Sequence, residues 1–188
     1  MGTGNTSWKK DFDKAVALHK KAINGDKQAA QKAYETLKNI KLQVNNHSLV
    51  EAYFGSSSAL IARDSNDLTD KTNYAKRGMK SLDQAIKLDG DNVEIRMLRG
   101  NVAYRLPEVY FKRTKTAIED FQYLIKAFEG NNQDISKEQY YEILLKLGAS
   151  YKTVGNSQSA EETWNKLLSL NNSKYKTLVE KAKSTGGE

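Results

Sequence analysis

The chain has no cysteine, a single proline and two histidines among its 188 residues. Lack of cysteine removes disulfides, thiolate nucleophiles and thiolate zinc sites. It leaves the compartment open, because exported chains often lack cysteine too. One proline and no long Gly/Ser run exclude a linker or a collagen-like chain. No window approaches 18 consecutive apolar residues, so no segment is expected to span a membrane. The apolar share, 38%, stays below the roughly 45–50% usual for globular domains even when glycine is counted in place of tyrosine. That is too little for a large spherical core. Yet 2 Trp, 5 Phe and 10 Tyr are too many for a disordered tail. Length alone makes one domain over residues 1–188 the default.

Thirty Lys+Arg against 23 Asp+Glu give a net charge of +7 and a pI near 9.3. The lysines are spread out. Lys9, Lys10, Lys20, Lys21, Lys27, Lys32, Lys38 and Lys41 recur through the first quarter among Asp and Glu. A nucleic-acid binder usually gathers its basic residues on one face, so a solvated lysine-rich surface is the simpler reading. The opening residues, Met1 to Thr6, carry neither a basic n-region nor an apolar h-region. Gly2 with Thr6 matches the loose myristoylation pattern, although a start codon with a cloning scar explains them as well. Localisation therefore stays open between the cytoplasm and export with a leader removed.

Helical periodicity dominates. Phe12, Ala15, Val16, Leu18 and Ile23 follow a 3.6-residue repeat, Gly25-Asp26 breaks it, and Ala29, Ala30, Ala33, Tyr34, Leu37 and Ile40 begin a second stripe. Further helices are expected near 47–64, 70–88, 92–106, 113–128, 137–154, 157–170 and 173–184. Turn residues separate them, among them Gly90-Asp91-Asn92, Pro107, Gly130-Asn131-Asn132 and Asn171-Asn172. No stretch alternates with period two long enough to argue a strand. The expectation is an all-α chain of eight or nine helices.

A frame of 34 residues organises the C-terminal part. Counting Tyr141 as 1, Leu147, Gly148, Tyr151, Gly155, Ala160, Trp164, Leu167 and Asn172 stand at 7, 8, 11, 15, 20, 24, 27 and 32. This frame resembles the tetratricopeptide repeat, which asks for Leu-Gly, Tyr, Gly, Ala, Phe, a small residue and Pro there. Leu167 and Asn172 depart from it. Gly148 and Ala160 suit a close approach of two antiparallel helices, Tyr151 and Trp164 fill space between helix pairs, and Gly155 permits the turn. Weaker copies precede it. Gly78, Leu82, Ala85 and Ile86 resemble a second helix, with Gly55 as the small residue of its partner. Gly100, Ala117, Phe121 and Leu124 mark another pair, with about five extra residues around Pro107 to Arg113. The first copy keeps Gly25, Ala30, Tyr34 and Leu37.

The expected fold is thus an α-α superhelix, a solenoid of about four tetratricopeptide-like hairpins (11–44, 48–92, 93–130 and 141–174) with a capping helix at 173–184. One hairpin cannot bury its apolar face alone, whereas stacked neighbours share an elongated core that tolerates a low apolar fraction.

The residues offer little chemistry. No His-Glu-x-x-His pair, phosphate loop or nucleophile elbow is present, so the chain reads as a non-enzyme without cofactor or metal. His19 and His47 read as surface or helix-end residues. Glu119-Asp120 and Glu161-Glu162 point about 100° apart on a helix and read as solvated faces rather than an acid/base pair. Asp89, Asp91 and Asn92 lack the twelfth-position Glu of a calcium loop.

Binding is where the resemblance points. In tetratricopeptide proteins the first helices of successive units line a concave groove for an extended peptide or a helix. By that resemblance the groove is lined by Met97, Asn101, Tyr104 and Arg105, by Leu145, Ala149 and Lys152, and farther upstream by Leu49, Ala52, Ser56, Ala59 and Leu60. Asn pairs bidentately with an amide and Arg forks onto an anion, so Asn101, Arg105 and Lys152 suit a peptide backbone or a carboxylate. A second candidate surface interleaves basic and aromatic residues: Arg96, Arg99, Tyr110, Phe111 and Arg113. It suits an anionic protein segment or single-stranded nucleic acid, unless Tyr110 and Phe111 fold back over the lengthened turn. Similar Leu-Pro-plus-aromatic insertions mark a group of bacterial tetratricopeptide proteins that the chain resembles, and they imply no activity. The expected function is a protein-interaction scaffold with a protein or peptide partner. A basic helical-repeat binder of nucleic acid is the alternative, and self-association through the end faces is a further possibility.

Overall fold

The computed structural model describes residues 7–184; the Gly2/Thr6 pattern lies outside them. Ten helices and no strand make up the described residues: α1 (Ser7–Ile23), α2 (Lys27–Gln43), α3 (Ser48–Asp64), α4 (Leu68–Leu88), α5 (Val93–Arg105), α6 (Glu108–Phe111), α7 (Thr114–Glu129), α8 (Lys137–Thr153), α9 (Ser157–Leu168) and α10 (Ser173–Ser184). The tenth, absent from the sequence expectation, is the single turn α6 inside the Pro107 insertion. The chain divides into two compact units, residues 1–99 and 100–188, with the division falling inside α5.

In the first unit α1 pairs with α2 and α3 with α4, and α3 also packs on α1 and α2. Covered on several sides, α3 buries Val50, Ala52 to Ser58, Leu60 and Ala62. Ala52, Ser56 and Leu60 are therefore packing residues, which corrects their expected place on an open groove. Helices α3 and α4 cross where both carry glycine. A β-carbon on Gly55 would lie 2.7 Å from the Gly78 carbonyl oxygen, and one on Gly78 equally close to that of Gly55. Only a residue without a side chain fits there.

His19 corrects a second expectation. It is 1% exposed, on the same face of α1 as Ala15 and Ala22. Its Nε2 shares a 2.8 Å hydrogen bond with Ser56 Oγ, and its ring meets the edge of Tyr53 at 5.1 Å. Burial lowers its pKa to about 4, so the ring is neutral in the core. His47, at a helix end, caps α3 by accepting from the Val50 amide.

In the second unit α7 packs on α8, α8 on α9, and α10 on both α8 and α9. Asp120, expected on a solvated face, is fully buried. Its β-carbon lies 3.1 Å from one built on Gly100, where α5 comes down on α7. At the α8–α9 contact Trp164 lies against Gly148, and its Nε1 donates to the Leu145 carbonyl oxygen at 3.2 Å. The turn residue Gly155 has φ +79° and Gly25 φ +102°, left-handed backbone that glycine adopts at no steric cost. Tyr175 and Val179 bury α10 against its neighbours, with the Tyr175 hydroxyl donating to Glu138 at 2.9 Å.

Candidate interaction surface

Within the second unit, the end of α5 and the whole of α8 carry the expected groove residues Asn101, Tyr104, Arg105, Leu145, Ala149 and Lys152. Lys146 Nζ on α8 donates to Asn101 Oδ1 on α5 at 2.8 Å and reaches Glu142 Oε2 at 3.4 Å. Asn101, Arg105, Glu142 and Lys146 thus share one wall. Arg105, one turn beyond Asn101, is exposed and has no ion-pair partner among the described residues. Lys146 is held below the ordinary lysine pKa, chiefly by burial; Glu142 opposes the shift, and the nearby positive charge of Arg105 reinforces it. Two cations face one carboxylate, with an amide beside them. An incoming carboxylate would relieve the repulsion between Arg105 and Lys146 and gain charge-assisted hydrogen bonds.

Of the other expected groove residues, Leu145 and Ala149 are half-buried on α8, and Met97 is half-buried on α5. Tyr104 is 37% exposed, its ring edge-on to Phe121 at 6.1 Å. Lys152 is engaged elsewhere: its Nζ donates to the carbonyl oxygens of Ala182 and Lys183 at 3.1 and 2.7 Å, tying down the end of α10. Lys146, which the sequence reading missed, supplies the ammonium on this wall. Its signal was the i,i+4 spacing from Glu142 on the same helix face.

The basic and aromatic residues read as a second surface differ in their surroundings. Arg99 is buried, 3.5 Å from Asp83. Arg96 Nε donates to the Gly90 carbonyl oxygen at 2.7 Å. Arg113 and Phe111 are half-buried, whereas Tyr110 is 81% exposed. Asp89 Oδ2 accepts from the side-chain Nδ2 of Asn92 at 3.0 Å, and Asn92 Oδ1 accepts the Glu94 and Ile95 backbone amides at the start of α5. That turn is a helix cap. Among the described residues no three His, Asp or Glu gather as metal ligands, and no helix is long and apolar enough to cross a membrane.

On another face of the same unit a cleft of about 280 Å³ lies between α7, α8 and α9. Two pairs on its polar rim are engaged internally: Lys166 with Glu129, and Gln122 Nε2 donating to the Tyr151 hydroxyl at 2.6 Å.

The fold has solved counterparts. The structure is similar to that of TTC0263, a thermophilic tetratricopeptide-repeat protein of Thermus thermophilus, with a TM-score of 0.62 at 15% identity over 89% of this chain and 80% of that one. The chain has the tetratricopeptide-type helical-repeat fold. It is also similar to MamA, with a TM-score of 0.52 at 18% identity over 94% of this chain and 98% of the other. No family model and no curated protein matches the sequence. The frame that starts at Tyr141 runs through α8 and α9, which meet at Gly148 and Trp164.

Proposed function

We propose that the chain is a non-catalytic protein-interaction scaffold that receives a peptide segment on the wall formed by α5 and α8. The observation that carries this reading is the Lys146–Asn101 hydrogen bond, which fixes two first helices side by side and leaves Arg105 exposed next to them. A peptide backbone offers amide groups to Asn101, and a carboxylate in the segment pairs with Arg105 and Lys146. The helices are already formed, so the cost of ordering falls mainly on the partner.

The nucleic-acid alternative has less support, because burial of Arg99 and the inward hydrogen bond of Arg96 break up the basic stripe it needs. The two readings separate by salt. Affinity for nucleic acid falls steeply between about 50 and 200 mM salt through counterion release, whereas a complex held by amide and apolar contacts changes less.

The test is affinity capture from source-cell lysate at those two salt concentrations, followed by calorimetry with the identified partner. Asn101→Ala with Arg105→Ala should weaken binding by at least about tenfold, the equivalent of about 1.4 kcal/mol, with helicity unchanged. Undiminished affinity of the double variant would remove the wall from the account.

A further inference from the structure

Three of the four helix hairpins close through three residues: 24–26, 65–67 and 154–156. The fourth, from α5 to α7, takes the eight residues Leu106 to Arg113. The extra residues are not needed to close a hairpin, and they are ordered into a definite shape. Pro107 starts α6, the Tyr110 and Phe111 amides donate to its carbonyl oxygen, and Lys112 adopts the left-handed conformation at φ 52°. Glu108 Oε2 accepts from the Thr114 amide at 2.8 Å and from its hydroxyl at 2.7 Å, locking the insertion to the start of α7.

This shape presents apolar side chains to water. Val109 is 82% and Tyr110 81% exposed, the two most exposed large hydrophobic residues of the chain's described part. Exposed Lys112 and Lys115 follow them in the chain; the charge of Lys112 also acts on Glu108, and Lys115 makes no ion pair among the described residues. The one carboxylate of the insertion, Glu108, is turned inward onto Thr114. The tip is therefore apolar, cationic and preorganised, which lowers the ordering cost of binding.

We propose that the Val109–Tyr110 tip is a second docking surface, for an acidic peptide segment whose apolar side chain covers Val109 and Tyr110 while its carboxylates pair with Lys112 and Lys115. The proposal extends the scaffold reading but does not depend on the α5–α8 wall. The charge of the tip selects an acidic occupant. A single exposed ring makes a poor platform for single-stranded nucleic acid, whose successive bases stack on successive aromatics. Two side chains also supply less apolar area than the helix face that holds a protein at a membrane surface.

The probe is a fluorescein-labelled synthetic peptide of glutamates around a central Leu-Phe, titrated by anisotropy into the full chain and its variants. Val109→Ser with Tyr110→Ser is expected to weaken binding at least about tenfold. Lys112→Glu with Lys115→Glu should do the same and should instead capture the matching lysine-rich peptide. Circular dichroism checks that these surface variants keep their helices. Asn101→Ala with Arg105→Ala is expected to leave this binding unchanged. The proposal is overturned if the peptide fails to bind the wild-type chain, or if the Val109/Tyr110 variant binds as well as wild type. Tighter binding to phosphatidylserine vesicles or oligothymidylate than to the peptide also overturns it. If only the Asn101/Arg105 variant loses the peptide, the tip falls and the wall reading stands.

Discussion

Gly148→Leu is expected to destabilise the C-terminal unit by at least about 3 kcal/mol, the upper part of the range for overpacked cores. A β-carbon at Gly148 would lie 2.5 Å from Cδ1 and 2.6 Å from Cε2 of the Trp164 indole. The indole has nowhere to go: Trp164 is 2% exposed and is held by its hydrogen bond to the Leu145 carbonyl. Leucine there must push α9 off α8, and α10 with it, because α10 packs on both. In a repeat architecture such damage stays with the affected unit and its neighbour, so the C-terminal part should melt early while α1 to α4 hold. Urea unfolding followed by near-ultraviolet circular dichroism reads this out. A double-mutant cycle sharpens the result. Gly148→Ala should cost far more in the wild-type chain than beside Trp164→Ala, where the space has been vacated. Equal costs in the two backgrounds would mean that the glycine and the indole do not meet.

A second large effect follows from His19. Its folded-state pKa is about 4 against an ordinary 6.5. Below about pH 6.5 the unfolded chain takes up a proton that the folded chain refuses, so stability is full above that pH and declines until pH 4. Between pH 7 and pH 5 the loss is about 2 kcal/mol, and by pH 4 about 3 kcal/mol, at 1.36 kcal/mol per pH unit. The carboxylates with lowered pKa, Asp64 below its ordinary 3.8 and Glu108, Glu129 and Glu138 below 4.5, act later in an acid titration. Urea unfolding at pH 7 and pH 5 tests the assignment. His19→Gln should lose the difference between the two pH values, whatever it costs in absolute stability. An equal pH dependence in wild type and variant would place the acid sensitivity elsewhere.

The repeat frame was legible in the C-terminal half because its key residues are constrained by backbone geometry. Gly148 faces an indole, Gly155 takes a positive φ, and Ala160 is buried. Such positions leave few alternatives, and spacing alone exposes them. The turn glycines and asparagines placed most helix ends for the same reason: Asn131 and Asn171 both have positive φ. Residues whose role depends on the neighbouring helices were harder to read. His19 looked superficial beside Lys20 and Lys21, yet Phe12, Ala15, His19 and Ala22 are spaced three and four apart, the signature of one buried stripe. Asp120 sits three residues after Ala117 and next to Phe121, both buried. Its carboxylate chemistry masked the same signal.

On the proposed α5–α8 wall, helical spacing placed the backbone of Lys152 but not the reach of its long side chain, and it did not single out Lys146. One ammonium goes to the end of α10 and the other to Asn101. The insertion before Arg113 was visible as excess length, but only packing could show that Phe111 is half-buried while Val109 and Tyr110 stand clear.

The most direct measurement of the proposed wall is a backbone amide map of the isotope-labelled chain, free and saturated with its captured partner segment. The largest shift changes should fall on α5 from Asn101 to Arg105 and on α8 from Glu142 to Ala149. Silent resonances there, with the changes gathered on α9 and α10, would contradict recognition by the first helices of the repeat.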